Sequence, residues 1–216
     1  MINRLIGNRF EVIALKEQEI YETNELYKHY PFHTLYVLPE LINIAAMNRQ
    51  HINATYLIYT LVDYPDGSKY ADRKFHGMHT DFFHVDGYDI VLSPIHDVSK
   101  IKREIVQVVQ FTKQMINPMA KICLTLNRSL RTDQELKICL DTIRMNPVTK
   151  IKLEALTRLQ PTKANFQIHH DTLQLIGPQY KTPIMLCGNI NKKIYIKLDN
   201  TLVVSPQQMH DIINNL

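Results

Sequence analysis

Hydrophobic positions along the chain change their spacing several times, and each change predicts an element. Residues 9–16, RFEVIALK, form a short apolar run that predicts a strand. In the next stretch, 17–30, Ile20, Leu26 and Tyr27 fall at helical spacing. Residues 40–50, ELINIAAMNRQ, predict a second helix, and 54–64, ATYLIYTLVDY, predict a β-rich run ended by the turn PDGS. Residues 79–94, HTDFFHVDGYDIVLSP, read as two short strands around a turn at Gly87. The opening region is therefore mixed β and α, and it holds most of the eleven tyrosines.

The middle of the chain has a helical period. Ile101, Ile105, Val108, Val109 and Met115 lie near one face of a helix over 97–116 that stops before Pro118. Thr132 and Glu135 are spaced as a capping box for a helix over 132–145. Asn146 and Pro147 are suited to cap and start a further helix over 148–160, closed by Pro161. These helices are expected to cover one face of a sheet. From Asn165 short β-like runs return, separated by Gly, Pro and Asn, and Ser205 with Pro206 opens a short terminal helix over 206–214. The expected fold class is α+β: an N-terminal mixed region over 1–146 containing the central helices, and a β-rich C-terminal segment over 147–216.

Composition narrows the function classes. The chain has 216 residues, 45% of them hydrophobic and 21% charged, so it belongs with globular proteins. Three cysteines, Cys123, Cys139 and Cys187, are odd in number and form no CxxC pair, which argues against a zinc ribbon or a disulfide framework. Six glycines and the absence of GxGxxG and GxxxxGK[ST] argue against a glycine-rich phosphate loop. The first seventeen residues carry acids and asparagines within their apolar stretch, so neither a signal peptide nor a membrane span is expected there, and a reducing cytoplasm is the expected location. The net charge is +4. All of that excess lies after Pro147, where Lys163, Lys181, Lys192 and Lys193 are candidate contacts to a phosphate backbone.

One ordered set of residues carries candidate chemistry. The segments FQIHHD at 166–171 and LDNTLVVSPQQMHDI at 198–212 resemble the core of HNH (ββα-metal, His-Me finger) endonucleases, particularly the nuclease domain of bacterial colicins. The resemblance covers about the last 50 residues and gives the β-rich segment a candidate ββα-metal motif. It implies His169 as a metal ligand and His170 as the general base that activates water. Asn200 would orient that base, with Asn189 and Asn191 as alternatives. His210, on the terminal helix, would be the second metal ligand, and Asn214, at i+4, would share its face to contact the metal or the scissile phosphate. The implied activity is hydrolysis of DNA phosphodiesters with a divalent ion such as Mg, Mn, Ni or Zn. Residues 1–146 would then position the substrate or bind a protein partner.

Two other readings stand beside it. In one, the histidines are structural, and the chain is a non-catalytic interaction or nucleic-acid-binding protein, for example a viral or phage assembly factor. In the other, His76, His79, Asp81, His84 and Asp86 hold a metal. On a strand over 79–86, however, His79 and Asp81 face away from His84 and Asp86, which works against one compact site.

Overall fold

A computed structural model of the chain describes residues 2–71, 73–75, 84–154, 183–187 and 201–216. Its eight strands are β1 Phe10–Ala14, β2 Thr34–Val37, β3 Leu57–Val62, β4 Gly87–Val91, β5 Lys121–Asn127, β6 Lys150–Glu154, β7 Ile184–Cys187 and β8 Leu202–Val204. Each pairs in parallel with the next, and β8 pairs in parallel with β1, so the sheet closes into a barrel. Parallel neighbours need long crossovers, and several are helices: α2 Glu17–His29 follows β1, α3 Ile42–His51 follows β2, α4 Val98–Phe111 follows β4, α5 Asp133–Arg144 follows β5, and α6 Pro206–Asn214 follows β8. A short helix α1, Ile2–Gly7, precedes β1. The architecture is a closed, eight-stranded parallel barrel of the TIM-barrel kind.

This corrects the expected α+β class. Strands from both sides of residue 146 are staves of one closed barrel, so the tail is not a separate β-rich segment. The helix expected over 148–160 also gives way: residues 150–154 are β6. The physical reason is visible in KIKLE, whose polar and apolar residues alternate strictly with the strand period of two. Strands β2 and β5 escaped the pattern because they are buried along nearly their whole length and lack the polar alternation of a half-exposed strand. Around Gly87, one strand starts at that glycine, and residues 79–83 of the strand expected before it lie outside the described residues.

The two faces of the barrel differ in chemistry. Facing the helices are Val12, Leu35, Ile58, Ile90, Leu124 and Leu153, part of one large apolar core. Facing the lumen are Ile13, Tyr36, Tyr59, Leu61, Cys123, Met185, Cys187 and Val203. Charged residues interrupt this second, smaller cluster.

Helix ends follow local rules. Thr132 and Glu135 form the expected capping box of α5, and Ser205 with Gln208 forms another at α6, with Pro206 in its first turn. At α4 the Asp97 carboxylate accepts from the backbone N–H groups of Ser99 and Lys100. Where the chain leaves β3, Gly67 has a φ of +62°, and a Cβ there would lie 2.6 Å from the Leu92 carbonyl oxygen. Only glycine fits that backbone.

Candidate active site in the barrel lumen

Because successive strand residues point to opposite faces, Ile151 and Leu153 of β6 join the apolar coat while Lys150 and Lys152 enter the lumen. Lys152 is fully buried, and its Nζ is ion-paired with Asp89 Oδ2 of β4. The other oxygen, Asp89 Oδ1, accepts a hydrogen bond of 2.5 Å from the Thr125 hydroxyl of β5. In register, Lys152 lies beside Thr125 on one side and Met185 on the other. The amine, the carboxylate and the hydroxyl thus come from three different staves and meet inside the barrel.

A second polar group lies toward the strands' N-terminal ends. Lys150 Nζ is paired with Glu11 Oε1 and donates to the Thr34 hydroxyl at 2.8 Å. Tyr36 donates its hydroxyl to Glu11 Oε2 at 2.5 Å. Tyr36 and Tyr59 lie between the two ion pairs, their ring centroids 5.5 Å apart. Lys152 Nζ is 4.8 Å from the Tyr36 centroid and Lys150 Nζ 5.2 Å from that of Tyr59, both within cation–π range. The buried Tyr59 hydroxyl has no hydrogen-bond partner among the described residues, which leaves one donor unspent in the lumen. Its ring requires Gly87, where a Cβ would sit 2.6 Å from a ring carbon.

The electrostatics separate the possible nucleophiles. Burial is the largest single effect and works against the Lys152 ammonium, but the Asp89 carboxylate together with the Cys187 and Cys123 sulfurs outweighs it, and the amine ionises well above the ordinary lysine range. Burial, then the nearby Asp89 charge, pushes the Cys123 thiol far up, so this sulfur stays protonated and weakly nucleophilic. Burial also raises Tyr36 and Tyr59, which stay neutral. The lumen therefore holds two amines, Lys150 on Glu11 and Lys152 on Asp89, and Lys152 is kept as a cation by its carboxylate partner.

A cleft of ≈ 410 Å³ opens at the C-terminal ends of β2 and β3, lined in part by Leu38, Leu61, Asp63, Tyr64, Lys69 and Lys74. Leu61 and Tyr64 also pack with the lumen cluster, so the cleft borders the lumen at its C-terminal end, while Lys152, Asp89 and Thr125 lie buried outside its lining. Its wall is fixed by the buried Lys74, whose Nζ bonds Asp63 Oδ2 at 2.8 Å and the Val91 carbonyl at 2.7 Å, and lies 3.2 Å from Glu104. Glu104 in turn accepts from the Ser93 hydroxyl at 2.6 Å. Hollows of ≈ 510 Å³ between α2 and α6 and ≈ 760 Å³ beside α3 lie outside the barrel.

Of the residues expected from sequence, only His210, Asn214, His84 and Asp86 are among the described residues. His169, His170, Asn200, Lys163, Lys181, Lys192 and Lys193 fall outside the described residues, as do Asn189, Asn191, His76, His79 and Asp81. His210 and Asn214 are exposed on the outer helix α6, where they hydrogen-bond to each other at 2.7 Å. Asp86 accepts from Arg49 at 2.6 Å and from the Ile58 N–H at 2.8 Å, which anchors the entry to β3 and β4. Among the described residues no group of three His, Cys, Asp or Glu is placed to hold a metal ion. Nor is any helix of the described residues long and apolar enough to cross a membrane.

Sequence reasoning missed Lys152, Asp89 and Thr125. The available signal was polarity on the wrong side of an apolar strand: GYDIV and KIKLE each place a charge where a buried strand should carry an aliphatic residue.

No family model and no curated protein matches the chain. Solved structures do. The chain superposes on deoxyribose phosphate aldolase from Aeropyrum pernix with a TM-score of 0.78 at 13% identity, covering 99% of this chain and 91% of that one. A putative deoxyribose-phosphate aldolase from Coccidioides immitis gives 0.71 at 14% identity, with 97% and 85% covered. The putative copper homeostasis protein CutC from Streptococcus agalactiae gives 0.61 at 11%, with 90% and 96% covered. At these identities the likeness establishes the fold, and it overturns the resemblance to HNH endonucleases: β8, which leads into α6, is a stave of a parallel barrel and not part of a ββα-metal motif. The expected roles of hydrolase, DNA endonuclease and DNA-binding protein lose their basis with it.

Proposed function

We propose that the protein is a carbon–carbon lyase of the imine-forming kind, in which Lys152 condenses with a small aldehyde or ketone to catalyse aldol cleavage or its reverse. The observation that carries this reading is the buried Lys152 amine on Asp89, inside a barrel whose mouth is open over β2 and β3. A buried ion pair is a poor stability device, since a well-packed apolar pair serves as well or better, so charge retained at this place favours a chemical role. Barrels of this architecture put their chemistry toward the C-terminal ends of the strands. Several solved structures of like fold are described as aldolases or lyases, including an N-acetylneuraminate lyase from Mycoplasma synoviae.

The steps balance with the groups present. Asp89 takes a proton from the Lys152 ammonium, and the free amine attacks the carbonyl carbon to give a carbinolamine. Asp89 returns that proton to the carbinolamine hydroxyl, which leaves as water. The result is an iminium cation beside a carboxylate, the same charge pair as at the start. Asp89 can next accept the proton of a hydroxyl β to the iminium carbon. The C–C bond then breaks, its electron pair moves toward the iminium nitrogen as an enamine forms, and an aldehyde departs. Protonation of the enamine carbon and addition of water release the second product and restore the amine.

The test is reductive trapping. Incubation with acetaldehyde, glyceraldehyde or dihydroxyacetone, followed by sodium borohydride, should add one reduced adduct located at Lys152 by peptide mass mapping. Lys152→Arg should abolish it. The reading falls if none of these carbonyl compounds is trapped, or if the adducts persist in Lys152→Arg.

A further inference from the structure

The same lumen carries a second assignment, which rests on the imine reading above. We propose that Tyr36 is a positioning residue for Lys152: its ring is the floor on which the charged nitrogen rests, and Glu11 holds that ring in place through the hydroxyl. The Lys152 nitrogen is 4.8 Å from the ring centroid, and the Tyr36 hydroxyl donates to Glu11 Oε2 at 2.5 Å while touching Met185 Sδ at 3.6 Å. The remaining oxygen of Glu11 is taken by Lys150 and by the Thr34 hydroxyl at 3.2 Å.

The need for such a floor follows from β6. Lys150 and Lys152 are two residues apart on one face of a strand, so their Cα atoms are separated by about 6.6–6.8 Å. Two flexible amines that close would be free to exchange carboxylates. Each ring carries one lysine, Tyr36 under Lys152 and Tyr59 under Lys150, and the pair stands between Asp89 and Glu11. The aromatic partition keeps the reactive amine on Asp89 and the other on Glu11. It also stabilises every cationic form of Lys152, ammonium and iminium alike. The groups that face Lys152 are Asp89 from β4, Cys123 and Thr125 from β5, Met185 and Cys187 from β7, and Lys150 and Glu154 on its own strand.

The experiment replaces Tyr36 with phenylalanine and with phenylalanines bearing one, two and three ring fluorines, which drain the negative face of the ring with little change in volume. Borohydride trapping is followed at pH 8, where Lys152 is charged and the rate tracks the small fraction of free amine. Weakening the ring should raise that fraction stepwise, by about tenfold across the series, the change that matches a cation–π contact of one to two kcal/mol. A role in packing alone leaves the rates flat across the series and overturns the proposal. A jump from tyrosine to phenylalanine followed by a flat series also overturns it, because the effect would then belong to the hydroxyl. If even the wild type is not trapped, the imine function itself fails. The contact is then decided by the Lys152 ammonium resonance in NMR, identified by its loss in Lys152→Met: movement along the fluorine series supports the ring contact, and a fixed resonance overturns it.

Discussion

Replacing Lys152 with methionine removes half of a buried ion pair and leaves the Asp89 carboxylate in the lumen with the Thr125 hydroxyl still donating to it. One hydroxyl does not balance a desolvated charge, and the cost of breaking such a pair is about 3–5 kcal/mol. With a urea dependence of about 2 kcal/mol per molar, the unfolding midpoint should fall by roughly 2 M. Lys152→Met combined with Asp89→Leu should recover most of the loss, because an apolar pair removes the orphaned charge. The pH dependence provides a second check. Lys152 ionises in the folded chain well above its unfolded value of about 10.4, so its stabilisation is complete below that pH and is lost as pH rises, by about 1.4 kcal/mol per unit. The gap between wild type and Lys152→Met should therefore be constant from pH 7 to 10 and narrow between pH 10.5 and 12. A single variant within about 1 kcal/mol of wild type at pH 7 would refute the reasoning. So would a gap that does not narrow in alkali.

Other substitutions probe the parts that shape the site. Gly87→Ala should cost about 1–3 kcal/mol by forcing a Cβ into the Tyr59 ring and the Lys121 carbonyl, and Tyr59→Leu in the same chain should return part of it in a urea titration. Lys74→Met should cost about 3–5 kcal/mol, since Asp63 and Glu104 lose their shared cation, and limited proteolysis should then cut faster between β3 and β4. Thr132→Ala should lower stability by about 1 kcal/mol through loss of the α5 capping box, and Thr132→Ser should restore it. Burial raises the Cys139 thiol to about 11 and Cys123 further, so a disulfide reagent at pH 8 should leave these two untouched in the native protein and react with all three cysteines in denaturant.

The local signals in the sequence were legible where one short stretch decides the outcome. Strand β1, helices α2 and α5 with the Thr132 box, and α6 with Ser205 and Pro206 all fall where pattern and caps place them. Closure was not legible, because a parallel ladder joins residues sixteen or more apart and no local period encodes it. Lys152 stayed hidden for a related reason. In KIKLE the residues that look like a solvated face point into the lumen, while Ile151 and Leu153 meet the surrounding helices. His210 misled in the opposite way: it resembled a ligand in an ordered motif, yet it stands exposed on the outer helix, bonded to Asn214.

On the proposed imine chemistry, the assignment of Lys152 rather than Lys150 as the reacting amine rests on position and partners together. Lys150 opens β6 at the N-terminal end of the barrel, and Glu11, its partner, also accepts from Thr34 and Tyr36, so its oxygens are committed to donors. That arrangement holds strands β1, β2 and β6 together and has no acceptor left for a proton in transit. Lys152 is two residues nearer the C-terminal ends, and Asp89 accepts only one other side-chain donor among the described residues, the Thr125 hydroxyl on its far oxygen. The oxygen facing the amine is therefore engaged by the amine, and a proton passed across that contact leaves a neutral nucleophile beside a neutral acid. The proposal thus assigns strand pairing to one ion pair and reaction to the other, with the rings of Tyr36 and Tyr59 between them.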